Sequence, residues 1–242
     1  MDIAWADRAT NLKHVEEMIA AMPETDIVVL PEMFSTGFAT EPQGIAEKDG
    51  GTLTFMKRQA REHNCAVAGS VATETEGTYR NRFYFVTPNG TTAYYDKHHL
   101  FTYGGENKHF TAGQERVTVD FRGVRVRLLV CYDLRFPVWC RNTDGYDLAL
   151  FVASWPTSRV DAWDTLLKAR AIENQCFVAG VNRIGNDPAC AYCGSSAIID
   201  AYGNVMASCG RGTARSVTTN IDLGQLAAFR KKFPVLNDAD KL

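Results

Sequence analysis

Short, predominantly apolar runs recur along this chain, and each stops abruptly just before a polar or reactive residue or a proline. Residues 26–30 lead into Pro31 and Glu32, residues 128–130 into Cys131, and residues 146–153 repeat the pattern. Runs of this length and composition predict strands buried on both faces of a sheet. They alternate with one-faced helices. Leu12, Val15, Met18, Ile19 and Met22 recur at helical spacing before Pro23, and Leu53, Phe55, Met56 and Ala60 do so within residues 53–63. A third helix is expected at about residues 162–174. Buried strands alternating with amphipathic helices imply a layered α/β domain in which helices cover mixed sheets.

The other elements follow the same signals. A strand is expected at residues 65–71. An alternating aromatic strand at 79–87, the turn Pro88-Asn89-Gly90 and a return strand through Tyr94 and Tyr95 predict a hairpin. Residues 117–121 and 124–132 predict a second hairpin about Arg122-Gly123. Strands are expected at 177–182, 195–199, 205–207 and 217–221, with Tyr202-Gly203-Asn204 as a turn. No internal repeat or low-complexity linker divides the chain, so one domain over residues 1–242 is expected.

Charge and composition narrow the partners. The 28 acidic and 26 basic residues give a formal charge of -2 with no long run of one sign, which argues against nucleic acid or an anionic membrane and for a small-molecule substrate. The apolar runs are too short to span a bilayer, and the first residues lack a signal-peptide pattern, so a cytoplasmic protein is expected. Seven scattered cysteines are an odd number and imply free thiols in a reducing compartment.

Three segments place a charged or reactive group directly after a strand: Val29-Leu30-Pro31-Glu32-Met33-Phe34, Tyr95-Asp96-Lys97-His98-His99-Leu100-Phe101, and Val130-Cys131-Tyr132-Asp133-Leu134-Arg135-Phe136-Pro137. Sites of α/β proteins gather beyond the carboxyl ends of strands, where such groups converge. In this order and at these separations the segments resemble the Glu, Lys and Cys motifs of the nitrilase superfamily of carbon-nitrogen hydrolases. The resemblance spans nearly the whole chain and extends to Trp155-Pro156, to the run from Arg170 to Asn174, to Asn182-Arg183 and to Gly194-Ser195-Ser196. The run from Cys131 to Pro137 and Ser154-Trp155-Pro156 look most like the omega-amidase branch.

The resemblance implies a four-layer α-β-β-α sandwich, a homodimer formed by helix-face packing, and hydrolysis of an ω-amide of the 2-oxoglutaramate or 2-oxosuccinamate type. In the family a strand precedes the segment matching Met1-Asp2-Ile3-Ala4, so the first strand is expected to be short or missing. Within the enzyme class the rival substrate is another small amide or a carbamoyl compound. The rival from another class is a non-catalytic scaffold of the same fold.

The residue types suit that chemistry. A thiol attacks an amide carbonyl as thiolate, yet a free Cys, with pKa about 8.5, is mostly protonated at neutral pH, so Cys131 needs a base. Glu32 is placed to take that proton and return it to departing ammonia. The oxyanion needs fixed donors, for which the Lys97 ammonium and the Tyr132 backbone N–H are candidates. A thioester then yields to water. No metal or organic cofactor is required. The resemblance also implies a second site carboxylate, matched by Glu106 with Glu115 nearby.

Each residue also has a plainer reading. Cys131 alone fits a buried structural thiol, Glu32 a helix N-terminal charge and Lys97 a solvated loop cation. Trp155 fits a pocket wall or core packing, and Arg159 a substrate-carboxylate partner or a surface ion pair. Arg135 reads as a structural cation. Cys190 and Cys193 have CxxC spacing but lack the second pair that a zinc site needs. His98, His99 and His109 read as loop-packing residues rather than parts of a Cys–His enzyme.

Overall fold

The computed structural model describes residues 1–240. Helix α1 (Arg8–Ala20) starts at Asp7, whose carboxylate accepts from the Thr10 N–H at 3.1 Å and so satisfies one of the free donors of the first turn. Strand β1 (Ile27–Val29), helix α2 (Gly51–Glu62) and strands β2 (Ala66–Thr75), β3 (Thr78–Val86) and β4 (Thr92–Asp96) complete the first half. The strands form a sheet of order β1-β2-β3-β4, with β1 parallel to β2 and the rest antiparallel.

The second half runs β5 (Thr118–Phe121), β6 (Val124–Val130), α3 (Pro137–Cys140), β7 (Leu148–Ala153), α4 (Val160–Asn174), β8 (Phe177–Asn182), β9 (Ile184–Asn186), β10 (Ala191–Ile199), β11 (Val205–Arg211) and α5 (Leu223–Lys232). Its sheet has the order β11-β10-β8-β7-β6-β5, with β9 paired beside β10. Strands β6, β7 and β8 are mutually parallel at its centre. Such strands are covered on both sides, which is why residues 148–153 are apolar at every position.

Side chains of a strand alternate between faces, and the layers follow from that period. Leu128 and Val130 of β6 point inward with Leu150 and Val152 of β7, meeting Ala66, Ala68, Phe83 and Phe85 of the first sheet. Leu129, Phe151 and Ala153 point outward against Trp163, Leu167 and Ala171 of α4. On the far side Val15, Ile19, Phe55 and Met56 of α1 and α2 cover Val28, Val67 and Val86. The result is the α-β-β-α sandwich. Each fully buried Leu or Phe in these layers contributes about 1.5–3 kcal/mol, spread over both interfaces of each sheet.

The segment before α1 forms a single parallel bridge, Asp2 to Ile184, rather than a strand, in accord with the short or missing first strand expected. Met1 and Ile3 are buried, and Arg183 donates to the Asp2 carboxylate and the Ile3 carbonyl, both at 3.1 Å. Residues 217–221 correct the reading of a strand there. Their alternating pattern is real, but Ile221 packs on the inter-sheet core without joining any ladder. Period alone cannot supply a partner strand. Helix α5 follows, capped by Asp222 and burying only Leu226, too little apolar material to leave a helical signature. Strand β6 also ends two residues earlier than its pattern suggested, because Cys131 turns the chain.

Candidate active site

Four strand ends deliver the site. Glu32 follows β1, Lys97 follows β4, Cys131 follows β6 and Ser154 follows β7. Glu32, Lys97 and Glu106 are all fully buried. The Lys97 Nζ donates to Glu32 Oε1 at 2.8 Å and to Glu106 Oε2 and Oε1 at 2.9 and 3.2 Å. The remaining oxygen of Glu32 accepts from the Ser154 N–H at 2.8 Å, and Glu106 Oε2 also accepts from the Phe101 N–H at 2.6 Å. Glu115 is exposed, so of the two candidate carboxylates it is Glu106 that contacts Lys97.

Backbone geometry holds these groups. Cys131 has φ +45° and Met33, beside Glu32, also has φ +45°, a left-handed region that costs a non-glycine residue energy. At Cys131 this bend ends β6 and opens a tight turn, Cys131–Arg135. The Lys97 carbonyl accepts from Gly113 N at 3.0 Å, and a Cβ at Gly113 would collide with the Asp96 carbonyl, so only glycine lets this loop clamp Lys97. Asp133, fully buried, ties the Cys131 turn to the Lys97 loop. It accepts from the Val130 N–H at 3.0 Å, Tyr95 Oη at 2.7 Å, the His99 N–H at 3.0 Å and His99 Nδ1 at 2.9 Å.

Burial alone would push Lys97 toward its neutral form, but the carboxylates of Glu106 and Glu32 outweigh it and hold the ammonium above the ordinary lysine range. Burial pushes the Glu106 carboxyl up, opposed by Lys97 and reinforced by the Glu32 charge. The Cys131 thiol is pushed well up, first by burial and then by the Glu32 carboxylate within hydrogen-bonding reach, while Lys97 pulls the other way. The resting thiol is thus protonated, with an acceptor for its proton alongside.

Cys131 opens into a cavity of about 660 Å³. Tyr132, Trp155, Arg159 and Arg135 line it, along with Phe38 and Phe101. The Tyr132 ring packs edge-on against Phe101 at 5.2 Å, and Trp155 is both wall and core, its Nε1 donating to the Arg159 carbonyl at 2.7 Å. The guanidiniums of Arg135 and Arg159 lie 4.8 Å from the Trp155 ring and 5.4 Å from the Phe101 ring. Among the described residues neither makes an ion pair. Arg135, expected as a structural cation, faces the cavity.

The remaining candidates lie outside this cluster. His98 donates from Nδ1 to the Gly113 carbonyl at 2.6 Å and stacks on Trp139, and His99 stacks on Phe136. His109 is paired with Gln43. Cys190 stands at the cavity edge and Cys193 lies in β10. Sequence reasoning missed Asn81 of β3, whose Nδ2 donates to Glu32 at 2.8 Å and Glu106 at 3.1 Å. It also missed Asp133 and Ser154. Asn81 and its aromatic neighbours look like any strand, and only pairing with β2 and β4 turns Asn81 into the site.

The carbon-nitrogen hydrolase family model matches residues 1–231. The chain belongs to this family. An omega-amidase, YafV, of Escherichia coli strain K12 is 44% identical over 99% of this chain and 94% of its own length. A 2-oxoglutaramate amidase of Bacillus subtilis strain 168 is 37% identical over 99% and 95%. The crystal structure of XC1258 from Xanthomonas campestris, a CN-hydrolase superfamily protein, superposes with TM-score 0.96 at 42% identity, covering 100% of this chain and 95% of that one. As a carbon-nitrogen hydrolase this chain is a cysteine-dependent enzyme with the nitrilase sandwich.

Proposed function

We propose that Cys131 is the nucleophile, Glu32 its general base and acid, and Lys97 the cation that stabilises the oxyanion, with Glu106 holding Lys97 in place. The reading rests on one observation: the Lys97 ammonium is enclosed between Glu32 and Glu106 directly beside the thiol that opens into the cavity. The enzyme hydrolyses the amide C–N bond of small ω-amides, of the 2-oxoglutaramate or 2-oxosuccinamate type.

As the Cys131 sulfur attacks the amide carbon, its proton passes to Glu32, and the carbonyl oxygen gains charge against Lys97 Nζ and the Tyr132 backbone N–H. Collapse breaks the C–N bond, Glu32 returns the proton to the leaving nitrogen, and ammonia departs from a thioester. Glu32 then takes a proton from water, whose oxygen attacks the thioester carbon. The carboxylic acid leaves and the thiol is restored, so atoms and protons balance without a cofactor. Trp155 forms a wall for the substrate chain, and Arg159 meets its distal carboxylate.

We further infer one domain over residues 1–242, a cytoplasmic location and a homodimer. No described helix is long and apolar enough to cross a membrane. Support for the dimer comes from exposed Ile172 of α4, which borders Gly203 beside exposed Tyr202, whose ring packs tilted against Phe229 at 4.1 Å with Phe233 following. A continuous apolar face of this kind fits a second copy.

Ammonia release from a panel of ω-amides and carbamoyl compounds, comparing the wild type with Cys131→Ala, tests the function. Release from 2-oxo acid amides that Cys131→Ala abolishes is the expected result. A folded wild type inert toward every member would overturn the substrate and favour a scaffold role.

A further inference from the structure

Asn81 occupies the centre of β3 with 1% of its surface exposed. Its Nδ2 reaches Glu32 Oε1 and Glu106 Oε1 at 2.8 and 3.1 Å, the two oxygens that Lys97 Nζ contacts at 2.8 and 3.2 Å. Its backbone carbonyl accepts from the Lys97 N–H at 2.9 Å. One residue therefore sets the start of the Lys97 segment and touches both carboxylates that flank the ammonium.

The other end of the same side chain is telling. Asn81 Oδ1 is buried and has no hydrogen-bond partner among the described residues. A buried carbonyl without a partner destabilises a fold, and native structures tolerate few. Flipping the amide would not help, because Oδ1 would then oppose two carboxylate oxygens. The amide is oriented by Glu32 and Glu106, and an apolar side chain of the same shape would leave both carboxylate oxygens without this donor. An amide whose donors both go to the carboxylates, at the expense of its own carbonyl, is oriented for the site.

We propose that Asn81 is a positioning residue that bridges Glu32 and Glu106 with its two amide protons and holds both on the flanks of Lys97 against their mutual repulsion. This rests on the reading of Glu32 as the base. The charged and titratable groups around it are Glu32 beyond β1, Lys97 beyond β4, Glu106 in the turn Glu106–Lys108 and Cys131 beyond β6. A donor to a carboxylate favours its charged form, so removing the donor moves the acid limb of the whole cluster to higher pH.

Asn81→Leu and Asn81→Ala, assayed beside Glu32→Gln, test the proposal through kcat, KM, the pH dependence of kcat and thermal unfolding. The expected result for the Leu variant is a kcat lower by about 10- to 100-fold, little change in KM and an acid limb raised by about one pH unit. Its thermal midpoint should fall, since two buried carboxylate oxygens lose their amide donor. The Ala variant leaves space for water and carries the same comparison if the Leu variant does not fold. An unmoved acid limb, a loss confined to KM, or failure of both variants to fold would overturn the inference. Activity retained in Glu32→Gln would instead sink the base assignment, while an inert Glu32→Gln beside unaltered Asn81 variants would sink this proposal alone.

Discussion

One buried ammonium cannot neutralise two buried carboxylates, so the Lys97, Glu32 and Glu106 cluster holds an excess negative charge when all three are ionised. The Glu106 carboxyl accordingly sits above the ordinary range, with burial the leading cause. A carboxyl whose folded pKa is raised contributes stability that is fully present below its unfolded value, about 4.3, and lost as pH rises through the folded one. Once ionised, Glu106 is therefore a net cost to stability. Glu106→Gln should match or exceed the wild-type thermal midpoint at pH 7, by about 2–4 °C per kcal/mol relieved, with the gain shrinking toward pH 4 and activity reduced. A lower midpoint at pH 7 would mean that pairing with Lys97 outweighs burial. In the cavity, Arg159→Met and Arg135→Met keep the stems but remove the cations. Each should raise KM for carboxylate-bearing amides about 10- to 100-fold and leave a neutral amide unaffected. Equal effects on both substrates would show that these guanidiniums shape the wall rather than read charge.

At the scale of elements, the turn after β6 and the loop after β4 belong to different sheets, and Asp133 joins them. Four donors converge on its carboxylate from Val130, Tyr95 and His99. Asp133→Ala would leave these donors without an acceptor, at a cost of at least about 3 kcal/mol, and would loosen both the Cys131 turn and the Lys97 loop. Denaturant unfolding measures the first effect and the rate of Cys131 alkylation the second; a stability loss under about 1 kcal/mol would show that water replaces the carboxylate. The sequence made the β6 strand legible because apolar residues on both faces have no other explanation. Its end was misplaced because the left-handed turn at Cys131 departs from the conformations its neighbours prefer.

Across the whole molecule, two sheets pack face to face and the groups beyond their strand ends meet at one edge of the sandwich. Sedimentation of the purified protein should give the mass of two copies, and Ile172→Glu should shift it to one by placing charge in the exposed apolar face of Ile172, Tyr202 and Phe233. A wild type sedimenting as a monomer would remove the proposed dimer. The same sample should unfold in a single calorimetric transition if residues 1–242 form one domain, and two resolved transitions would divide it.

Much of this protein was legible without coordinates. Apolar runs marked the central strands, helical spacing marked α1, α2 and α4, and the three strand-end segments marked Glu32, Lys97 and Cys131, because burial and period act on neighbours in the chain. Other features depended on contacts between residues far apart. Glu106 was separated from Glu115 only by the loop that buries one and exposes the other, Arg135 turned from a structural cation into a cavity wall, and residues 217–221 kept an alternating pattern without a partner to pair with. Asn81 and Asp133 carry no local signal at all. Their hydrogen bonds reach across 49 and 38 positions, to Glu32 and from Tyr95; the first exists only once β1 and β3 are assembled in one sheet, the second only once the two sheets have closed on each other.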